Sequence, residues 1–265
     1  MFLIIKPLQN PTPLCHAYKV LAHPINICAL RKKASASSRM WIDRQSADPF
    51  TKQSIADGYR SRAAYKLLEI DRKFKIFKKS TKNIVDLGFA PGAWTQVALA
   101  RSANFKTTPK ILGVDLIDCS PPLGSHFLEG DIFSRKTHQE IDEFFAEEGL
   151  DVVLSDMMCN SSGNGELDHF ASMDICEGVV ILASRLLQKN GSLVMKYFTG
   201  SQDGLLCGKL ETHFSRVDRI KPKACRERSR EMYMVCTGKK SEKVDLLRLS
   251  HNAENTGSNN ESKSK

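Results

Sequence analysis

Four ionisable residues sit where a solvated charge gains least. Lys196 ends the apolar run Ser192-Leu193-Val194-Met195, and Asp156 ends Val153-Leu154-Ser155. Lys66 lies among Ala64, Leu67 and Leu68, and Glu231 opens the run Met232–Cys236 just after Arg226, Arg228 and Arg230. Singly, each has an ordinary explanation as a snorkelling lysine or one half of a surface ion pair. Together they offer proton-transfer chemistry. A lysine whose ammonium is disfavoured by burial or by a second cation can act as a base near neutral pH. Asp156 can orient one lysine while the other tunes it, and Glu231 supplies a second orienting carboxylate.

The elements that must position these residues begin with Ile84-Val85-Asp86-Leu87-Gly88-Phe89-Ala90-Pro91-Gly92-Ala93-Trp94-Thr95-Gln96-Val97-Ala98. A short apolar run ends in an acid, turns through Gly and Pro, and opens a helix. Gly88 and Gly92 lack a Cβ, so the chain can bend sharply and approach a ligand closely. Neither G-x-G-x-x-G nor G-x-x-x-x-G-K-[ST] is present, so dinucleotide and triphosphate binding have no direct signature. Strands are expected at Ile84–Leu87, Ile111–Val114, Phe127–Leu128, Val152–Leu154, Ser192–Lys196, Val217–Ile220 and Met232–Cys236. Helical spacing runs from Ala64 through Leu67, Leu68 and Phe74 to Phe77. Further helices are expected at Thr95–Ala103, Thr137–Ala146, Ile175–Leu187 (closed by Asn190-Gly191) and Leu205–His213. Such alternation predicts an α/β fold with a mainly parallel sheet and helices on both faces. Ligands in that architecture bind beyond the carboxyl ends of the strands. Asp115 ends the second strand, either to accept hydrogen bonds from two ribose hydroxyls or as a strand-end turn residue. Trp94 is either a pocket wall or core.

The run D-L-G-x-x-P-G-x-W, spanning Asp86–Trp94, resembles the S-adenosylmethionine loop of the FtsJ/RrmJ family of RNA ribose 2′-O-methyltransferases. That family carries a Lys-Asp-Lys-Glu tetrad. Lys66 matches within Arg62-Ala63-Ala64-Tyr65-Lys66-Leu67, Asp156 within S-D-M, Lys196 within V-x-K-x-F and Glu231 within S-x-E-x-Y, the last three spaced by 40 and 35 residues. The resemblance extends from about Trp41 to Gly238. It implies a Rossmann-like, S-adenosylmethionine-dependent methyltransferase fold with a seven-stranded sheet. Cofactor contacts are implied for Asp86, Gly88, Pro91, Gly92, Ala93, Trp94, Asp115, Asp131 and Asp156. Asp131 would touch the adenine, and a helix N-cap is the other reading of that residue. Lys196 would be the general base, tuned by Asp156 and Lys66, with Glu231 positioning it or the ribose. No metal is implied. The stretch Trp41-Ile42-Asp43-Arg44 to Asp48-Pro49-Phe50 resembles the mitochondrial branch, whose substrate is a uridine of large-subunit ribosomal RNA. One departure stands out: the family's S-D-M-[AS]-P-N reads Ser155-Asp156-Met157-Met158-Cys159-Asn160 here. Loss of the proline frees the backbone after Asp156, and Met158 reshapes the adjoining pocket, yet the carboxylate remains and activity is expected to survive.

Charge favours a polyanionic partner, RNA, DNA or an anionic membrane, and the resemblance implies ribosomal RNA or a pre-ribosomal particle. The 265 residues carry a net charge of +9 and a pI near 9.1. Two basic runs, Lys73, Lys75, Lys78, Lys79 and Lys82, and Lys221, Lys223, Arg226, Arg228 and Arg230, are expected at the cleft mouth, as phosphate contacts or as solvated faces. Eight cysteines occur singly, without C-x-x-C, which argues against zinc ribbons and thioredoxin chemistry and suits a reducing compartment. No apolar run approaches the ~18–20 residues of a membrane span. Residues 1–42 hold six Lys and Arg, a serine cluster and no acid, the composition of a transit peptide or of a disordered basic arm. The expected organisation is a transit segment or arm over residues 1–40, a methyltransferase domain over 41–239 and a disordered polar tail over 240–265. The expected setting is the mitochondrial matrix, with the protein acting as a monomer. A cytosolic tRNA ribose methyltransferase is a rival of the same class. A ribosome-assembly factor that binds RNA and S-adenosylmethionine without turnover is a rival of another class.

Overall fold

Seven strands build one mixed sheet in the computed structural model of the protein, which describes residues 48–240. The expectations for residues 1–40, for Trp41–Arg44 and for the tail from 241 onward lie outside the described residues. The chain runs α1 (Pro49–Ala56), α2 (Ala63–Phe74), β1 (Asn83–Leu87), α3 (Ala93–Ser102), β2 (Lys110–Asp115), β3 (His126–Glu129), α4 (Arg135–Phe144), β4 (Leu150–Ser155), α5 (Gly165–Leu186), β5 (Leu187–Phe198), α6 (Asp203–His213), β6 (Phe214–Ile220) and β7 (Glu231–Lys239). Strand order is β3-β2-β1-β4-β5-β7-β6, with β7 antiparallel to both neighbours and the other pairings parallel. The order reverses between β1 and β4, so the cleft opens over their carboxyl ends.

Side chains alternate across each strand, and that alternation sorts the core into two layers. Val85, Leu87, Val114, Val153, Leu193 and Met195 pack with α4, α5 and α6. Their neighbours Ile84, Ile111, Val152, Leu154, Val194 and Val235 pack with α2 and α3. By the same parity Asp86, Asp156, Lys196, Glu231 and Tyr233 belong to the face that α2 covers.

Some boundaries differ from expectation. Helix α1 has no apolar stripe. It forms because the Asp48 side chain accepts from the Thr51 N–H at 3.2 Å and Pro49 is pre-shaped for the first turn. Helix α5 begins at Gly165, ten residues before the expected start, because its first turns bury Asp168, His169 and Ser172 rather than a hydrophobic stripe. Asn190 does not close that helix; it lies within β5 in the left-handed region. Helix α2 stops at Phe74 with Lys75 left-handed, so Phe77 joins the core from the following turn.

Lys239 shows how one backbone turn redirects a side chain. Gly238, at φ +70°, breaks the alternation in β7. Lys239 is then buried against the end of α5, where Nζ donates to the carbonyls of Ala183 (3.2 Å), Ser184 (2.9 Å) and Leu187 (2.5 Å). A cation there also complements the helix C-terminus. Lys239→Met leaves these carbonyls without that donor and is expected to destabilise the fold by about 2–3 kcal/mol in urea unfolding. A loss below about 0.5 kcal/mol would show that the carbonyls do not depend on it.

Candidate active site

The tetrad assembles from four separate elements. Lys66 comes from the second turn of α2, Asp156 from the residue after β4, Lys196 from β5 and Glu231 from the start of β7. Cross-strand pairing places Lys196 opposite Tyr233 and Phe198 opposite Glu231. The Asp156 N–H donates to the Leu87 carbonyl at 3.2 Å, which ties the carboxylate to the end of β1.

Asp156 is the hub. Its Oδ1 lies 3.0 Å from Lys196 Nζ and 3.9 Å from Lys66 Nζ, and the Tyr233 hydroxyl is 2.7 Å away. Lys196 Nζ also donates to the Asp156 backbone carbonyl. Lys66 Nζ lies 2.5 Å from Glu231 Oε1, which the Tyr233 hydroxyl approaches equally closely. Burial alone would raise the Asp156 pKa; Lys196, Lys66 and the Tyr233 hydrogen bond outweigh it and hold the carboxyl below its usual range. Burial pulls the other way on Lys66, but Asp156 and Glu231 outweigh it and keep the ammonium charged. Burial, reinforced by the two carboxylates, pushes Tyr233 well above 10, so it remains a phenol and a donor.

The Gly/Pro loop forms the adjoining wall. Gly88 and Gly92 have φ of +72° and +94°, and a Cβ on either would collide with Met157 or Phe89. Arg60 braces the loop, donating from Nη1 to the Pro91 carbonyl at 2.9 Å and from its N–H to Gln96 Oε1 at 2.8 Å. Ala93 and Trp94 are buried. Trp94 is core: its Nε1 donates to the Ala63 carbonyl at 2.9 Å and its ring packs on Tyr233, coupling the loop helix to the turn that carries Lys66. Asp115 ends β2, and its carboxylate accepts from the Ala90 N–H at 2.8 Å and the Ile117 N–H at 3.0 Å. Asp131 is exposed beyond β3 and accepts from the Phe133 N–H; the N-cap of α4 is Ser134, not Asp131. Asp86 is enclosed beneath the loop, accepting from Thr95 Oγ1 at 2.7 Å.

Three residues of the site carried no role in the sequence reading. Tyr233 was visible only as the last letter of S-x-E-x-Y; its place two residues beyond Glu231, on one face of a strand, was the available signal. Cys225 lies with Sγ 3.6 Å from Glu231 Oε1, and burial pushes its thiol up to about 12. His169 clamps the chain after Lys196: Nδ1 donates to the Phe198 carbonyl at 2.8 Å, and Nε2 accepts from the Gln202 N–H at 3.0 Å. Beyond the substituted S-D-M motif, Met158 is exposed and Cys159 Sγ lies 3.8 Å from the Asp168 carbonyl. The Asp168 carboxylate gathers Ser161 Oγ and the Ser162 N–H and Oγ at 2.7–2.8 Å, which orders the segment in the proline's absence.

One expectation is corrected. The basic run Lys73–Lys82 does not border the cleft. Helix α2 starts at the tetrad and runs away from it, so these lysines emerge at the amino edge of β1, the opposite end of the sheet from Gly88. Of the second run, Arg230 directly precedes Glu231 and donates to the Thr199 carbonyl just beyond β5, and Arg226 faces Asp48 at 3.8 Å.

Comparison with known proteins agrees with this geometry. Residues 59–239 match the FtsJ-like methyltransferase model. The ribosomal RNA large subunit methyltransferase E of Bartonella bacilliformis is 40% identical over 209 residues, covering 78% of this chain and 87% of the relative. Its counterpart from Rickettsia akari is 38% identical over 211 residues, covering 79% and 92%. A crystal structure of a ribosomal RNA methyltransferase from Plasmodium falciparum superposes with a TM-score of 0.63 at 32% identity, covering 69% of this chain and all of the other. The chain belongs to the FtsJ-like methyltransferase family. Methyltransferases of this kind imply S-adenosylmethionine, and the residues suit it: carboxylates at Asp115, Asp131 and Asp156 ring the cleft and match a cationic sulfonium, an ammonium and ribose hydroxyls. Among the described residues, no group of three or more His, Cys, Asp or Glu could hold a metal, and no helix is long and apolar enough to cross a membrane.

Burial, together with the nearby Asp156 and Asp115, pushes Asp86 up to about 7 against the Thr95 hydrogen bond. A carboxyl raised in the folded state contributes fully below its unfolded value of 3.8, and the contribution is lost as pH rises through about 7. Stability of the wild type should therefore fall, relative to Asp86→Asn, by up to about 4 kcal/mol between those limits. Parallel stability–pH curves for the two proteins would contradict the raised pKa.

Proposed function

We propose that this protein methylates a ribose 2′-hydroxyl of large-subunit ribosomal RNA, using S-adenosylmethionine and a lysine base. The observation that carries the reading is the Asp156 hub beside the Gly88–Trp94 loop. The Gly88–Trp94 loop would hold the methyl donor and the tetrad would align a hydroxyl, both at the carboxyl edge of the sheet. The names of the bacterial relatives support ribosomal RNA as the substrate. The acid-poor first 42 residues, and the likeness of Trp41–Phe50 to the mitochondrial branch, support a uridine of mitochondrial ribosomal RNA and a matrix location. We take the acting unit to be a monomer.

When bound, S-adenosylmethionine supplies an electrophilic methyl group. The chain's own residues align the hydroxyl and take its proton. Lys66 is held as an ammonium by Glu231 and Asp156, so it is poorly suited to accept a proton. Lys196 is the base: two of its hydrogen positions point to Asp156, which leaves the third site of its nitrogen for the ribose hydroxyl. The single Tyr233 O–H donates to Asp156 or to Glu231, the two carboxylates it lies between. Lys66 and Glu231 pair on the other side of Asp156, and the backbone clamp by His169 holds the chain just after Lys196.

The test is methyl transfer from labelled S-adenosylmethionine to large-subunit ribosomal RNA, mapped by ribose-methylation sequencing. Wild type should mark a single site and Lys196→Ala none, with cofactor affinity near normal. A large loss of cofactor affinity in Lys196→Ala would contradict the base assignment. Cofactor binding without transfer to RNA or precursor particles would favour an assembly factor. Tyr233→Phe removes one hydrogen bond to the hub and should lower kcat about tenfold, the equivalent of ~1.4 kcal/mol. Asp115→Ala should weaken cofactor binding by on the order of 1–3 kcal/mol in isothermal titration. No change there would make Asp115 a turn residue only.

A further inference from the structure

The lysines that α2 carries away from the cleft form a second basic surface. Residues 72–110 contain nine Lys and Arg against one acid, Asp86, and that acid is buried inside the sheet. Of the nine, Arg101 pairs with Asp71. Lys73, Lys75, Lys78, Lys79, Lys82, Lys106 and Lys110 are all exposed. The fold gathers them at the amino edge of β1 and β2, where Lys110 N–H donates to the Lys82 carbonyl at 2.7 Å. Lys189, from the opening of β5, joins them. Between Lys78 and Lys189 lies a hollow of about 180 Å³, floored by Ser80, Thr81, Asn190 and Ser192. Its one carboxylate, Asp151, is already bound by the Lys82 and Asn83 N–H groups at 2.7 and 3.0 Å.

This surface stands apart from the active site. Asn190 and Lys196 are separated by six residues of strand, roughly 20 Å at ~3.3 Å each. A nucleotide in the cleft therefore cannot touch it, whereas a folded RNA can reach both ends. The polar hollow and the excess of unpaired-by-acid lysines suit phosphates, and an RNA backbone presents them at the required spread.

We propose that the amino-edge surface around Lys78, Lys79, Lys82 and Lys189 is a second docking site for the phosphate backbone of the substrate RNA. The protein thus selects a large, folded RNA rather than the isolated target nucleotide. The proposal rests on the RNA-methyltransferase reading and extends it to the shape of the substrate.

The experiment measures binding of a full-length large-subunit ribosomal RNA transcript across a salt series. Three proteins are compared: wild type, Lys78→Gln/Lys79→Gln/Lys82→Gln, and a charge-matched control, Lys136→Gln/Arg185→Gln/Lys209→Gln, on the helices of the other face. The first variant should bind about 10- to 100-fold more weakly near physiological salt, and its slope of log K against log salt should drop by about 2–3. The control should keep the wild-type slope, and both variants should bind S-adenosylmethionine normally. An unchanged slope in the first variant, or equal losses in the two variants, would overturn the proposal. Methyl transfer by the wild type is assayed in parallel. Transfer with an unchanged slope would sink the second site alone; no RNA binding by the wild type would sink the functional reading with it.

Discussion

A buried carboxylate between two lysines is the constraint on which the site depends. Asp156 accepts from Lys196 and from Tyr233 and faces Lys66, and Lys66 in turn is held by Glu231. Removing charges from water is costly, and only close pairing with several hydrogen bonds offsets that cost. The group is therefore stable only as a set. Four elements far apart in sequence have to arrive within a few ångströms of one another, and the sheet order that puts β4, β5 and β7 side by side delivers them. Trp94 and the Ala63 carbonyl lock α2 onto the same arrangement, so the cofactor loop and the tetrad share one rigid support.

Helix α2 has a separate role at each end. Its first turns deliver Lys66 to the hub; its last turn hands the chain to a run of lysines at the far edge of the sheet. The proton-transfer chemistry and one run of exposed lysines are thereby separated along one helix.

Much of this was legible in the residues. The seven strands and the sense of the sheet follow from short apolar runs alternating with amphipathic ones, since period 2 and period 3.6 are set by local backbone geometry. What carried no apolar rhythm was harder to see: α1 rests on an Asp cap and a proline, and the first turns of α5 bury polar groups that hold the segment after Asp156. Tyr233 and His169 were missed for a related reason. Their roles lie in hydrogen bonds to partners 77 and 33 residues away, which no local pattern encodes.

By itself, the chain determined which residues are apolar, where it must turn, and on which parity of each strand a charged side chain falls. Glu231 and Tyr233, two residues apart on β7, share a face for that reason alone. Which strands become neighbours, and in which register, was decided only by the tertiary structure, because register is a property of pairs of strands and their packing against helices. The same holds for the direction of α2. The sequence could place lysines beside a helix, but only the packed helix shows that one end meets the cleft and the other faces away from it.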